Sequence, residues 1–324
     1  YLPHVLKFRE NKQEHIATII KPLFSGRSGS NILITGKPGV GKTAACKHVL
    51  REMEKHSDKV YGVIVNCWKH DTAYKVLVDI CHQLGYKWVQ NKKTNELMKE
   101  IANIMNKKTA VIILDEVDKL KEEQVIYYLL EDLFKKCIIM ISNEKDFLTY
   151  LDERTRSRLM PEVLEFEPYT YQETYDILDE RRQVAFYEKI FKEDFFEPIV
   201  ERTSEFEDIR TGLFLLRETG NAAEARSSRS IGEVDVEKAI SKLAHFQATK
   251  VSLDEEETSL LEIIKDKNGS KSSDIFKEYQ AQFNKSDRTF RRKVSKLKDN
   301  KLIESKDGKD EQGNLVPFLH FKKL

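Results

Sequence analysis

A chain of 324 residues is long for one core and predicts two or three domains. With 55 Lys and Arg against 54 Asp and Glu the net charge is +1, so overall charge argues neither for nor against nucleic acid, and any basic surface must be local. Cys46, Cys67, Cys81 and Cys137 show no CxxC spacing, which excludes a zinc frame and reads as buried thiols in a reducing compartment; no apolar run reaches the roughly 18 residues of a membrane span, and no signal peptide is legible.

The first half alternates short apolar runs with helical stretches. Asn31–Thr35, Tyr61–Asn66, Ala110–Asp115 and Cys137–Ser142 each predict a buried strand, being short, β-rich and almost continuously apolar. Thr43–Lys55 and Thr72–Leu84 carry helical periodicity between them, and this alternation predicts a parallel sheet with crossover helices. After the first strand stands GKPGVGKT, which fits G-x-x-x-x-G-K-[ST]. Gly36, Lys37, Pro38, Gly39, Val40 and Gly41 form a loop whose backbone N–H groups can face phosphates, and Lys42, Thr43 and Ala44 open the next helix. Lys42 can reach the β- and γ-phosphates and Thr43 can ligate Mg²⁺. The alternative is a chance glycine-rich turn, which the flanking strand and helix oppose.

The strand ending in Asp115 and Glu116 places the first acid on the Mg²⁺ shell and the second beside an attacking water. A solvated acidic turn is the alternative, weakened by the loop before it. Asp118 reads as a member of the same acidic end or only as a helix cap. Asn143, after the next strand, can touch the γ-phosphate or the water, or can simply close the strand as a turn residue.

Beyond about Glu167 the strand signal stops. Tyr171–Ile190, Phe195–Ser204, Asp208–Arg226 and Asp235–Phe246 predict helices, with a loop at Ser227–Glu233. A linker near Ala248–Ser252 opens a third unit with helices at Glu255–Lys265 and Ser272–Phe283 and a basic helix at Asp287–Lys298. Leu302–Lys323 reads as a hairpin with its tip at Lys306–Asn314, and three helices plus a hairpin is the winged-helix pattern. From Lys285 to Lys298 there are seven bases and one acid, with Ser286 as N-cap. Phe290, Val294 and Leu297 fall on one face, leaving Arg288, Arg292, Ser295 and Lys296 opposite them. With Arg291, these bases are candidates for duplex DNA; Lys306, Lys309, Lys322 and Lys323 would lie on or near the wing. A solvated cationic face, or a winged helix used for protein contact, is the alternative.

These residues resemble the AAA+ ATPases, and within them the archaeal and eukaryotic origin-recognition initiators. The similarity runs from Leu2–Ile16 through the loop and VIILDEVD. It continues through Leu151–Leu159, FEPYT…DILDERR (Phe166–Phe186) and EDIRTGLFLLRETGNAAE (Glu207–Glu224). It implies an α/β P-loop AAA+ base with a parallel sheet (1–167), an all-α lid (168–250) and a C-terminal winged-helix domain (251–324). It further implies ATP or ADP with Mg²⁺, slow hydrolysis, and a sensor arginine at Arg210 reaching the phosphates from the lid. Arg154 or Arg158 is implied as a finger for a neighbouring subunit. Residues near Leu6–Arg9, Phe8 and Arg9 among them, would form part of the adenine pocket. Gly85–Lys93 falls where initiators carry a helical insertion that touches DNA; Trp88 and Lys92, beside Lys87 and Lys93, suit that role, or Trp88 is a partly buried anchor. The implied partners are origin duplex DNA, copies of the chain or related initiator subunits, and a replicative helicase, with no membrane; the place is the cytoplasm and nucleoid, or the nucleus of a eukaryote. Clamp-loader or transposition-helper ATPases, a nucleotide-switched regulator and a transcription factor remain rival readings.

Overall fold

The computed structural model describes residues 6–250, 255–283, 285–299, 302–309 and 315–321. The chain divides into two compact units, Tyr1–Val236 and Glu237–Leu324. In order, the first contains α1 (Glu10–Ile20), β1 (Ile32–Thr35), α2 (Lys42–His56), β2 (Val60–Asn66), α3 (Ala73–Gln83), α4 (Thr94–Met105), β3 (Thr109–Asp115), α5 (Gln124–Asp132) and β4 (Lys136–Ile141). It continues with α6 (Phe147–Tyr150), α7 (Glu153–Leu159), β5 (Glu162–Glu165), α8 (Tyr171–Ala185), α9 (Glu193–Phe206), α10 (Ile209–Ala225) and the start of α11 (Glu233–Lys250).

The strands form one parallel sheet in the order β2-β3-β4-β1-β5. Every residue of β3 is buried, and its side chains divide by period two between two cores. Ile112 and Leu114 join Leu77, Ile101 and Ile126 of α3, α4 and α5 on one face; Val111 and Ile113 join Ile16 and Val49 of α1 and α2 on the other. Each such aliphatic side chain contributes ~1.5–3 kcal/mol by leaving water, which is why an unbroken apolar run folds as a central strand. The edges are closed by side chains. At β2 the Gln83 amide donates to Ile64 O and accepts from Ile64 N, at 2.8 and 3.0 Å; at β5 the Lys12 ammonium donates to Glu165 O at 2.6 Å.

The helical lid starts on a reciprocal cap: Thr170 Oγ1 accepts from Glu173 N, and the Glu173 carboxylate accepts from Thr170 N. Edge-to-face contacts link Tyr175 with Phe196 and Phe191 with Phe186, at 5.3 and 5.1 Å between ring centres. At the end of α10, Arg226 grips buried Asp235 with Nε and Nη2 at 2.7 and 2.6 Å.

The second unit contains α12 (Glu255–Asp266), β6 (Ser270–Lys271), α13 (Ser272–Phe283), α14 (Asp287–Asp299), β7 (Ile303–Lys309) and β8 (Leu315–Phe321). Its three strands pair antiparallel in the order β6-β8-β7. Phe290, Val294 and Leu297 of α14 pack with Leu260, Tyr279 and Leu319, as their helical spacing predicts.

Several expectations need correction. Strand β5 went unread because Glu-Val-Leu-Glu is half charged, which an edge position tolerates. The two-residue β6 is too short to leave a periodic signal. The helix expected to reach Ile190 ends at Ala185, where Phe186 turns extended and meets Phe191. Gly85–Lys93 is a loop, not a helical insertion; Gly85 and Asn91, both at positive φ, break the helix. The expected linker is helical as far as Lys250, and 251–254 lie outside the described residues. Lys306–Lys309 is strand rather than tip; 310–314, Lys322 and Lys323 lie outside the described residues. Among the described residues, no helix is long and apolar enough to cross a membrane.

Gly212 in α10 shows how tightly the lid is packed. An added methyl there would lie 2.6 Å from both Leu178 Cδ1 and Thr203 Oγ1, on α8 and α9. Glycine to alanine inside a helix normally stabilises by up to ~1 kcal/mol, whereas overpacking costs ~1–3 kcal/mol. Gly212→Ala is therefore expected to lower stability despite its better helix propensity. Thermal unfolding followed by circular dichroism checks the sign.

Candidate functional site

In a parallel sheet all strand C-termini lie along one edge, where ligands of such folds bind. Here β4 sits between β1 and β3, so Asn143 stands between the phosphate loop and the acidic pair. Gly36, Gly39 and Gly41 take φ of 143°, 81° and 95°, values that L side chains rarely adopt. A side chain at Gly36 would strike Phe166 O. The loop feeds α2, whose first residue is Lys42.

The Lys42 ammonium is buried and donates to Gly36 O, Lys37 O and Asn143 Oδ1 at 2.6, 2.8 and 2.9 Å. Burial lowers its pKa to about 8, only partly offset by Asp115. Thr43 Oγ1 donates to the Asp115 carboxylate at 2.9 Å. Burial pushes the Asp115 carboxyl up, against the Thr43 hydrogen bond. Glu116 follows in left-handed backbone, φ 55° and ψ 45°, a conformation that costs a non-glycine residue ~1 kcal/mol or more. Asp118, left open by the sequence, accepts from Asn143 N at 3.1 Å and Ser142 Oγ at 3.3 Å, and so ties the end of β4 to the turn after β3.

A cavity of about 510 Å³ opens over this edge. Pro38, Gly39, Gly41, Lys42, Thr43 and Ala44 form its floor, with Asp115, Glu116 and Asn143 beside them. Ile177, Arg181, Ile209, Arg210 and Leu213 face them from the lid. Leu6, Lys7 and Tyr169 complete the wall, and Lys7 pairs with Glu180 at 3.3 Å.

Phe8 and Arg9, expected at the nucleotide, lie outside the cavity lining, and at Lys37 and Val40 the side chains, though not the loop backbone, are engaged elsewhere. Arg9 is buried outside the lining: it donates to Val40 O at 3.1 Å and Glu167 O at 2.7 Å, and stacks on Tyr169 at 3.8 Å. It braces the loop from behind, and Phe8 lies outside the lining with it. The Val40 side chain belongs to the core, and Lys37 pairs with Glu207 of the lid. The lid lining was missed, apart from Arg210, because its residues come from separate helices, although the segment DILDERR contains three of them. Arg154 and Arg158 share one face of α7 beside Tyr127, but Arg158 pairs with Glu131.

Among the DNA candidates, Trp88 is 79% exposed, while Lys92 pairs with Glu100 at 2.6 Å and lies over the Tyr86 ring. Lys296 reaches the buried Glu257 at 2.7 Å and Arg291 pairs with Asp287 at 2.7 Å. Arg292 is exposed, and the Arg288 side chain lies outside the described residues.

The AAA domain family model matches residues 26–148, and that of the Cdc6 AAA+ ATPase-type lid domain matches 175–241. The ORC1-type DNA replication protein 2 of Methanosarcina acetivorans is 33% identical over 294 residues, covering 86% of this chain and 79% of its own length. The ORC1-type DNA replication protein 2 of Methanothermobacter thermautotrophicus is 28% identical over 339 residues, covering 98% and 89%. The structure of the Aeropyrum pernix ORC1 protein in complex with DNA superposes with a TM-score of 0.74 at 23% identity, covering 99% of this chain and 91% of that one. The A. pernix ORC2 protein, in ADPNP–ADP complexes, gives 0.72 at 19%, with the same coverage.

A phosphate loop and acidic pair on a parallel sheet, roofed by a helical lid, define a nucleotide-binding AAA+ ATPase. The chain belongs to the ORC1-type DNA replication protein family.

The position of Lys42 sets an expected pH dependence. A phosphate bound at the loop would be attracted by the protonated ammonium, which is lost as pH rises through about 8. ADP affinity is therefore expected to fall about tenfold between pH 7 and pH 9. Lys42→Arg, whose guanidinium stays charged, would bind more weakly but with a flat profile. Calorimetric titrations across that range separate the two.

Proposed function

We propose that the chain is an ATP-dependent origin-binding initiator that engages duplex DNA and helps recruit or load a replicative helicase, together with copies of itself or related subunits. One observation carries the reading: a single chain joins a nucleotide cavity walled by base and lid to a separate basic helix, α14, with its apolar stripe buried. Membership of a DNA replication family supports it, as does the DNA held by the A. pernix ORC1 protein.

In this reading the base spans 1–167, the lid 168–250 and a winged-helix DNA-binding domain 251–324. Gly36–Thr43 cradle the phosphates and the charge of Lys42 draws in the terminal ones. The buried Asp115 carboxylate, destabilised as an anion and hydrogen-bonded to Thr43, suits a hard cation, so these two residues would hold Mg²⁺. That ion would offset charge on the β- and γ-phosphates. Glu116 orients and deprotonates the attacking water, Asn143 fixes the water or γ-phosphate, and Arg210 reaches the phosphates from the lid. Arg154 is the better finger for a neighbour, because Arg158 is engaged by Glu131.

Glu116→Gln is expected to leave ADP affinity unchanged and slow hydrolysis by about 10²–10⁴-fold, the contribution of a general base. Single-turnover hydrolysis tests this; wild-type rates would remove Glu116 from the mechanism.

For DNA, Arg292 and Lys298 are the exposed bases of α14 with no ion pair among the described residues. Replacing both with Ala is expected to reduce the slope of log affinity against log salt by about 0.9 for each phosphate that is no longer neutralised. Lys296→Ala should instead lower stability, since it strips a partner from buried Glu257. An unchanged slope in the double variant would move the DNA surface away from α14.

A further inference from the structure

The turn before α10 brings two acids onto the phosphate loop. Glu207, in left-handed backbone at φ 54°, pairs with Lys37. Asp208 caps α10 by accepting from Arg210 N at 2.9 Å. The same carboxylate accepts from Arg210 Nε and Nη2, both at 3.0 Å. It also lies against Gly39, where any side chain would collide with it. One carboxylate thus holds the start of a 17-residue lid helix, the guanidinium that lines the cavity, and the apex of the loop.

We propose that Asp208 is a positioning residue of the nucleotide site, the lid's own counter-ion for Arg210, which competes with the nucleotide's phosphates for that guanidinium. This rests on the reading of Arg210 as a phosphate contact. Asp208 holds Arg210 at the loop mouth, so the arginine is close to its target before the target arrives. A phosphate must then draw the guanidinium away from Asp208, which weakens the net attraction. The fields of both groups reach Lys42, Arg210 opposing its charge and Asp208 favouring it, which places the pair within electrostatic range of the phosphate site. Arg210 is 64% exposed and Asp208 24%, so the exchange happens in a screened setting and its size is that of a surface ion pair.

The test is ADP affinity, by calorimetry, for Asp208→Asn, Asp208→Ser, Arg210→Ala and the Asp208→Asn/Arg210→Ala double variant. Asn and Ser both keep a good N-cap, so α10 should still start where it does. Either is expected to bind ADP about two- to fivefold more tightly than the unmodified chain, because Arg210 is no longer shared. A purely structural carboxylate could only leave affinity unchanged or weaken it, and either result in both variants overturns the proposal. In the Arg210→Ala background, Asp208→Asn should change nothing; tightening there would mean that Asp208 acts on the phosphates directly, and the proposal would fall. If Arg210→Ala alone leaves affinity unchanged, the reading of Arg210 itself fails, which the single variants at Asp208 would not show.

Discussion

The nucleotide site depends on a buried ammonium. Lys42 is held by two loop carbonyls and the Asn143 amide, and burial makes its charge costly enough to lower its pKa to about 8. That cost is bearable only because the loop is rigid: the carbonyls must already point inward. Rigidity comes from three directions. Glycines permit the curl, Arg9 clamps Val40 O from behind, and the Gly36 backbone sits so close to the Phe166 carbonyl that no side chain would fit there. The parallel sheet then sets Asn143 between the loop and the acids, since β4 lies between β1 and β3. Strand order thus decides which polar side chain meets the ammonium.

Much of this was legible because the relevant signals are local. The loop is a contiguous pattern, and β1, β3 and β4 are apolar runs buried on both faces, while β2, at the sheet edge, is only partly buried but still mostly apolar. What stayed hidden depends on distant partners. Arg9 looked like a nucleotide contact, yet its guanidinium spends its donors on backbone carbonyls as far away as Glu167. Asp118 could not be told from a helix cap, because its partner Asn143 lies just beyond the end of another strand, β4. The lid's contribution to the cavity comes from side chains on α8 and α10, brought together by a packing that periodicity cannot register.

Gly39 illustrates the same limit from the other side. The signature of the loop requires glycine at Gly36 and Gly41, and Gly39 falls on a position the pattern leaves free. Two constraints act there at once: a φ of 81°, and the Asp208 carboxylate seated against its Cα. The first is local and would tolerate Asn at moderate cost. The second forbids any side chain while the lid turn holds its place. A residue outside the motif is thereby set by an element more than 160 residues further along the chain.

Counting charges along α14 overstates what the helix can offer a polyanion. Seven bases from Lys285 to Lys298 suggest a broad cationic face. Lys285 and Lys293 point to Glu256, Lys296 to Glu257 and Arg291 to Asp287. The first three pairs join α14 and the residues before it to the start of α12, so they hold the unit together as much as they charge it. A phosphate competing for Lys293 would have to extract it from a site where it is 5% exposed, beside a carboxylate that would be left behind. Among the described side chains of α14, the bases that the proposed DNA reading can use at low cost are therefore Arg292 and Lys298, six residues apart. Under that proposed reading, these two bases would hold a duplex through phosphates rather than read its sequence. In the same reading, a tighter grip would draw on bases beyond these two, on a second surface of the chain or on a second subunit bound alongside it.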